Sequence, residues 1–148
     1  MSQSLSQIYI HATFSTKDRI NLLRKDDLPR IHAYIAGTLT DMGCPALKVG
    51  GTENHVHALF VQSKNLSLAQ TMENVKRASS KWIKTQHASY RAFAWQEGYG
   101  AFSVSQSSVD AVVKYISEQE EHHKRFNFQE EVKRFFDLYK VQYDERYL

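Results

Sequence analysis

The hydrophobic period of this chain switches repeatedly between that of a strand and that of a helix, and the order of the switches restricts the folds open to it. Ile8, Ile10, Ala12 and Phe14 alternate with Tyr9, His11 and Thr13, which predicts a strand with one apolar face. A basic loop with Lys17, Arg19, Arg24 and Lys25 follows, and Pro29 stands near a helix start. Ile31, Tyr34, Ile35, Thr38, Leu39 and Met42 recur at helical spacing, with Gly43 set to cap the C-terminus and Pro45 preventing continuation. Residues 46–49, 50–54 and 55–62 read as strand, turn and strand. Ser67 with Gln70 forms a capping box for a second helix, whose apolar stripe is Leu68, Met72, Val75, Ser79, Trp82 and Ile83. The aromatic-rich segments 91–95 and 99–104 predict one or two more strands. Ser107 with Asp110 predicts the cap of a third helix with the core face Val109, Val112, Val113 and Ile116. Asn127 with Glu130 predicts a fourth, carrying Val132, Phe135, Phe136 and Tyr139. This order predicts an α+β fold, an antiparallel sheet with helices packed on it.

No linker, repeat or low-complexity tract interrupts the 148 residues, so a single domain over 1–148 is expected. A lone Cys44 excludes a disulfide framework and a cysteine-based zinc site. The apolar runs are too short to cross a bilayer, and the first residues lack the pattern of a signal peptide, so a soluble intracellular protein is expected. Nineteen Lys+Arg against sixteen Asp+Glu leave a net charge of +3, and its distribution says more than its size. From Asn74 to Gln96 there is no acidic residue, while Lys76, Arg77, Lys81, Lys84 and Arg91 all fall inside. Acids gather later, at Glu118, Glu120, Glu121, Glu130 and Glu131. One basic element suggests a local anionic partner, for which phosphate is the obvious chemistry.

His55 and His57 lie two apart on a predicted strand, so both side chains point to one face. Two imidazoles placed so can share one divalent cation. The spacing equally fits a pair of partly exposed strand histidines bonded to neighbours. Val56, Ala58 and Phe60 on the other face are core under either reading. Tyr115 and Gln119, four apart on the third predicted helix, stack at one flank of its core face, with His122 on the same flank. A tyrosine there can present its hydroxyl and Gln119 a hard oxygen ligand, or the two can be an amphipathic cover and a solvated amide.

Taken in order, these segments resemble a known family. His55-Val-His57 resembles the HUH motif (His, hydrophobic, His), and Tyr115-Ile-Ser-Glu-Gln119 resembles the catalytic helix of single-tyrosine HUH transposases, the IS200-like transposases of insertion sequences that move as single-stranded DNA. The stretch from Tyr9 to Lys17 resembles the family's first strand and its Thr-Lys, and Glu53–Phe60 its HUH strand. Val75–Ser80 resembles its basic helix, and Trp95–Ser103 the strand region before the tyrosine helix. The resemblance covers nearly the whole chain with compatible spacing.

That resemblance implies a ferredoxin-like, RRM-like antiparallel sheet with helices on one face and a C-terminal tyrosine-bearing helix. It implies Tyr115 as nucleophile and His55, His57 and Gln119 as ligands of Mg²⁺ or Mn²⁺. An unassisted phenol, with a pKa of about 10, is a poor nucleophile at neutral pH, and a divalent cation on the scissile phosphate offsets the developing charge. The implied product is a 5′-phosphotyrosine link with a free 3′-hydroxyl. The implied substrate is hairpin-forming single-stranded DNA, held by Lys76, Arg77, Lys81, Lys84 and Arg91 and by a second patch with Lys17 and Arg19. Trp82, Tyr90, Phe93 and Trp95 are either stacking platforms for bases or core. A homodimer with active sites shared between subunits, acting in the cytoplasm of a bacterial or archaeal cell, completes the expectation. A non-catalytic RRM-like single-strand binder, a metal-dependent phosphoesterase acting through water, and a domesticated palindrome-associated relative are the alternatives. An autonomous transposase is favoured among them.

Overall fold

The structure, a computed structural model, describes residues 4–119 together with Glu130 and Lys133. The predicted fourth helix falls almost wholly outside the described residues, as does His122. Seven principal elements follow one another: β1 (Tyr9–Ser15), α1 (Leu28–Asp41), β2 (Ala46–Gly51), β3 (His55–Val61), α2 (Leu68–Gln86), β4 (Gly100–Val104) and α3 (Val109–Ser117). The four strands form one antiparallel sheet in the order β2-β3-β1-β4, the arrangement expected of a ferredoxin-like fold.

The sheet is covered on both faces. Ile10, Ala12 and Phe14 of β1 and Val56, Ala58 and Phe60 of β3 point to one face, where Ile31, Ile35 and Leu39 of α1 and Met72, Val75 and Ile83 of α2 close over them. The alternate residues of the same strands point the other way, where Leu59 and Val104 pack against Ile116 of α3. Covering both faces buries six of the seven residues of β3, whichever way they point. His55 and His57 are therefore 1% and 4% exposed, not the partly exposed pair that spacing alone allowed.

Most local signals are realised as read. Pro29 lies in the first turn of α1, where its missing N–H costs nothing, and Gly43 follows the helix at φ +82°, where glycine carries no Cβ penalty. The Ser67–Gln70 capping box is formed with both reciprocal bonds. Tyr90, Phe93 and Trp95 belong to the core, and Trp82 stacks on Tyr34 at 4.5 Å, so these rings support the fold. The Trp95 indole packs edge-on against Phe14 and Phe93 and donates to the buried Ser79 hydroxyl at 3.0 Å, which explains a serine in the apolar stripe of α2.

The two aromatic-rich segments supply one strand, β4, while residues 91–95 form none; a 3-10 turn at Ala88–Tyr90 precedes them, and Trp95 makes an isolated bridge to Thr16. Two expectations are corrected. Ser107 does not cap α3: a 3-10 turn at Gln106–Ser108 leads in, and Ser105 interacts with the hydroxyls of Ser107 and Ser108. Gln119 lies beyond α3, which ends at Ser117 with Glu118 as its C-cap. Among the described residues, no helix is long and apolar enough to cross a membrane.

Candidate active site

The face of the sheet under α3 carries the polar cluster. His55 and His57 project from β3, and the antiparallel register sets His57 opposite Thr13 of β1 and Gly50 of β2. Gly50, read from sequence as the start of a turn, lies in β2, and a Cβ there would lie 2.9 Å from both the Cγ2 and the carbonyl oxygen of Ile116. The absent side chain lets α3 cross close over β2, bringing the C-terminal end of that helix to the histidines.

His55 is held at both ring nitrogens. Its Nδ1 lies 2.8 Å from Asn54 Oδ1 and 3.0 Å from Thr52 Oγ1, and its Nε2 lies 2.9 Å from Gln119 Oε1. The orientations of the two amides are fixed elsewhere. Asn54 donates through Nδ2 to the Arg19 carbonyl and accepts at Oδ1 from Thr52, while Gln119 donates through Nε2 to the Tyr115 carbonyl. Each amide therefore turns an oxygen toward His55. With the Nδ1 proton given to Asn54, the Nε2 lone pair confronts the Gln119 oxygen, and two acceptors at that distance need a proton or a cation between them. Gln119, just past the end of α3, is 1% exposed.

Tyr115 is half-buried beside the pair. Its ring centroid lies 5.6 Å from that of His57 and 6.0 Å from that of His11, both edge-on. His11, from the centre of β1, is 1% exposed, and its Nε2 is 2.9 Å from His57 Nδ1. Burial lowers the His11 pKa to about 3, so the ring is neutral. Sequence reasoning assigned His11 only to the polar alternation of β1. The signal that singles it out is the strand register, which no local pattern contains. Among the described residues, no three His, Cys, Asp or Glu side chains form a metal-ligand group; the available donor set is two imidazoles and one carboxamide.

The predicted basic residues divide into two sets. Lys17 and Arg19 follow β1 at the end of the sheet that carries His55. Thr16 N–H donates to the Asn54 carbonyl at 2.9 Å, and the Arg19 carbonyl takes the Asn54 amide, which ties that loop to the site. Burial lowers the pKa of Arg19. Lys76, Arg77, Lys81 and Lys84 ride on α2, which covers the opposite face of the sheet, so they do not meet the His–Tyr cluster within the chain. Lys76 is half-buried and donates to the carbonyls of Gln96 and Gly98, both at 2.7 Å; its first role is to clamp the turn before β4. Burial lowers its pKa against the opposing pull of Glu97. Arg77 pairs with Glu73 and Asn74 on its own helix. Lys81, Lys84 and Arg91 are exposed.

A family model described as transposase, IS200 like, matches residues 4–119. The chain belongs to the IS200-like transposase family. Solved structures agree on the fold. One from Deinococcus radiodurans R1, described as a candidate transposase, matches with a TM-score of 0.62 at 16% identity, over 80% of this chain and 98% of that one. A second, a REP-associated tyrosine transposase bound to a REP hairpin, matches with a TM-score of 0.60 at 12% identity, over 83% of this chain and 74% of that one. None of the curated proteins matches in sequence.

In this IS200-like transposase the match ends at Gln119, the residue that closes the polar cluster. Gln119 also lines a cleft of about 290 Å³ together with Lys25, His32, Lys48 and Gly50. His32 has a buried Nε2 with no hydrogen-bond partner among the described residues, and burial, assisted by Lys48, lowers its pKa to about 4. The outer side of Gln119 is thus lined by two lysines and an imidazole whose protonation is disfavoured.

Proposed function

We propose that this chain cleaves and rejoins single-stranded DNA through a 5′-phosphotyrosine intermediate formed by Tyr115, with a divalent metal held by His55, His57 and Gln119. The family is one of transposases, which supports a DNA-processing enzyme. The observation that carries the finer reading is the approach of His55 Nε2 and Gln119 Oε1 to 2.9 Å, with the Tyr115 ring packed against His57. That approach sets a ring nitrogen and an amide oxygen side by side, a pair of donors that one divalent cation can share.

The donor set suits a metal of the Mg²⁺ or Mn²⁺ class, with the two imidazoles favouring Mn²⁺. When bound, such a cation supplies Lewis acidity toward a phosphate oxygen. The chain's own groups do the rest. Asn54 holds the Nδ1 proton of His55, so that Nε2 keeps its lone pair. Gln119 is anchored through its amide to the Tyr115 carbonyl, which couples the third ligand to the nucleophile's own residue. Tyr115 Oη forms a bond to the scissile phosphorus as the bond to the 3′ oxygen breaks. The phenol gives up its proton and the departing oxygen takes one, leaving a 3′-hydroxyl able to reverse the step elsewhere.

The substrate we assign is hairpin-forming single-stranded DNA, bound by Lys17 and Arg19 near the site and by Lys81, Lys84 and Arg91 on the far face. Bases on both faces of one protomer suit a homodimer that holds the hairpin on one surface and the cleaved strand on the other. A hairpin-bound relative of the same fold supports a structured DNA ligand.

The test is a denaturing gel of the protein with labelled single-stranded DNA from the flanks of its own gene, with Mn²⁺ or Mg²⁺, with chelator, and with Tyr115→Phe. A covalent band that needs metal and disappears in the Phe variant is expected. Binding without any adduct would leave a single-strand binder instead.

A further inference from the structure

His11 is the one buried histidine of the cluster that the proposed chemistry leaves without a task. It sits in mid-strand, paired in register with Leu59 on one side and Phe102 on the other, where a leucine or valine would carry no desolvation cost of its own. What distinguishes it is its contact, Nε2 to His57 Nδ1 at 2.9 Å, with ring centroids 5.1 Å apart at 50°.

An imidazole that ligates through one nitrogen carries its proton on the other and donates it to an outer partner, which fixes both tautomer and ring orientation. His57 Nδ1 is engaged with His11, so a cation ligated by this ring would be held through Nε2. For that to hold, the hydrogen bond must run from His57 Nδ1–H to His11 Nε2.

We propose that His11 is a positioning residue for His57: it accepts the Nδ1 proton, sets the tautomer that leaves Nε2 to ligate, and fixes the ring against Tyr115. This inference rests on the metal reading above. His55 has the corresponding partner in Asn54, so the two ligands are held by different acceptors, a carboxamide for one and a neutral imidazole for the other.

The test is Mn²⁺ affinity, measured by calorimetry on the full chain without DNA, for wild type, His11→Phe and His11→Gln. Loss of the acceptor in His11→Phe is expected to weaken binding about 10- to 100-fold, the scale for an outer-shell partner, with partial rescue in His11→Gln, whose carboxamide oxygen can accept. A folded His11→Phe that binds within about two-fold of wild type overturns the proposal while leaving the metal reading intact. Wild type that binds no Mn²⁺ overturns both. A second measurement needs no variant: ¹⁵N spectra of the wild-type imidazoles should show His57 protonated at Nδ1, coupled through the hydrogen bond to His11 Nε2. A His57 protonated at Nε2 contradicts the proposal even where His11→Phe fails to fold.

Discussion

His55 Nε2 and Gln119 Oε1 meet at 2.9 Å although 64 residues separate them in the chain, one at the start of β3 and the other just past the end of α3. The contact joins an inner strand of the sheet to the segment that bears Tyr115. If Asn54 holds the Nδ1 proton, both atoms are acceptors, and a proton or a cation shared between them relieves the contact. Gln119→Leu keeps the volume and removes the oxygen. Its Mn²⁺ affinity should fall at least about 10-fold while the metal-free melting temperature holds or rises, since an unfavourable polar contact is gone. Calorimetry and thermal melts of the same samples check both halves.

Gly50 opposes His57 in the sheet and lies under Ile116. Gly50→Ala puts a methyl group 2.9 Å from a backbone oxygen of α3, which cannot rotate away as a side-chain tip would. The helix must lift, and Tyr115 and Gln119 lift with it. We expect a destabilisation of about 1–3 kcal/mol by denaturant unfolding. We also expect a loss of adduct formation that persists under conditions where the variant is fully folded.

The lysines of α2 should separate by role. Lys76 holds the carbonyls of Gln96 and Gly98, so Lys76→Ala should lower thermal stability. Lys81 and Lys84 are exposed, so their alanine variants should melt like wild type. If they contact phosphates of a single strand, each should reduce the slope of log affinity against log salt by about 0.7. Fluorescence anisotropy over a salt series measures it, and an unchanged slope in both variants would remove α2 from the DNA surface.

Tyr90 donates to Asp27 and accepts from the Arg24 amide, linking the start of α1 to the segment after α2. The Tyr90 bond, aided by Arg30 and Arg24, holds the Asp27 pKa below its ordinary value against the cost of burial. Burial and Asp27 raise that of Tyr90. A lowered carboxylate pKa contributes stability above its unfolded value that is lost as pH falls through the folded pKa; a raised phenol pKa contributes stability that is lost as pH rises through its own. Tyr90→Phe should therefore cost about 1–2 kcal/mol near neutrality, with the deficit shrinking on the acid side below about pH 4 and on the alkaline side above about pH 10. Urea unfolding across pH checks the shape.

Local signals carried the elements: the alternation in β1 and β3, the proline and glycine bounding α1, and the Ser67–Gln70 box are interactions among neighbours in sequence, and all are formed. The pairing of His55 and His57 on one face was likewise legible from strand period. What escaped depends on contacts across the chain. Whether β3 has one covered face or two is decided by where α3 returns, so the depth of the histidines was not readable. His11 acquires its meaning from the register of β1 against β3. The Ser107–Asp110 box lost to a serine-rich 3-10 turn that interacts among its own hydroxyls, a competition that residue types alone do not rank. Gln119 reaches His55 from just beyond the end of α3, which stops at Ser117.

The central claim is that Tyr115 bonds to a 5′-phosphate, and the most direct measurement is to find that bond. Protein incubated with Mn²⁺ and single-stranded DNA from its own flanks, then treated with nuclease and trypsin, yields the peptide running from Tyr115 to Lys124, which contains no second tyrosine. The account predicts a nucleotide joined through its 5′-phosphate to Tyr115 in the mass spectrum of that peptide, and none when chelator replaces metal. Cleaved DNA with that peptide unmodified, or an adduct on another tyrosine, would contradict it.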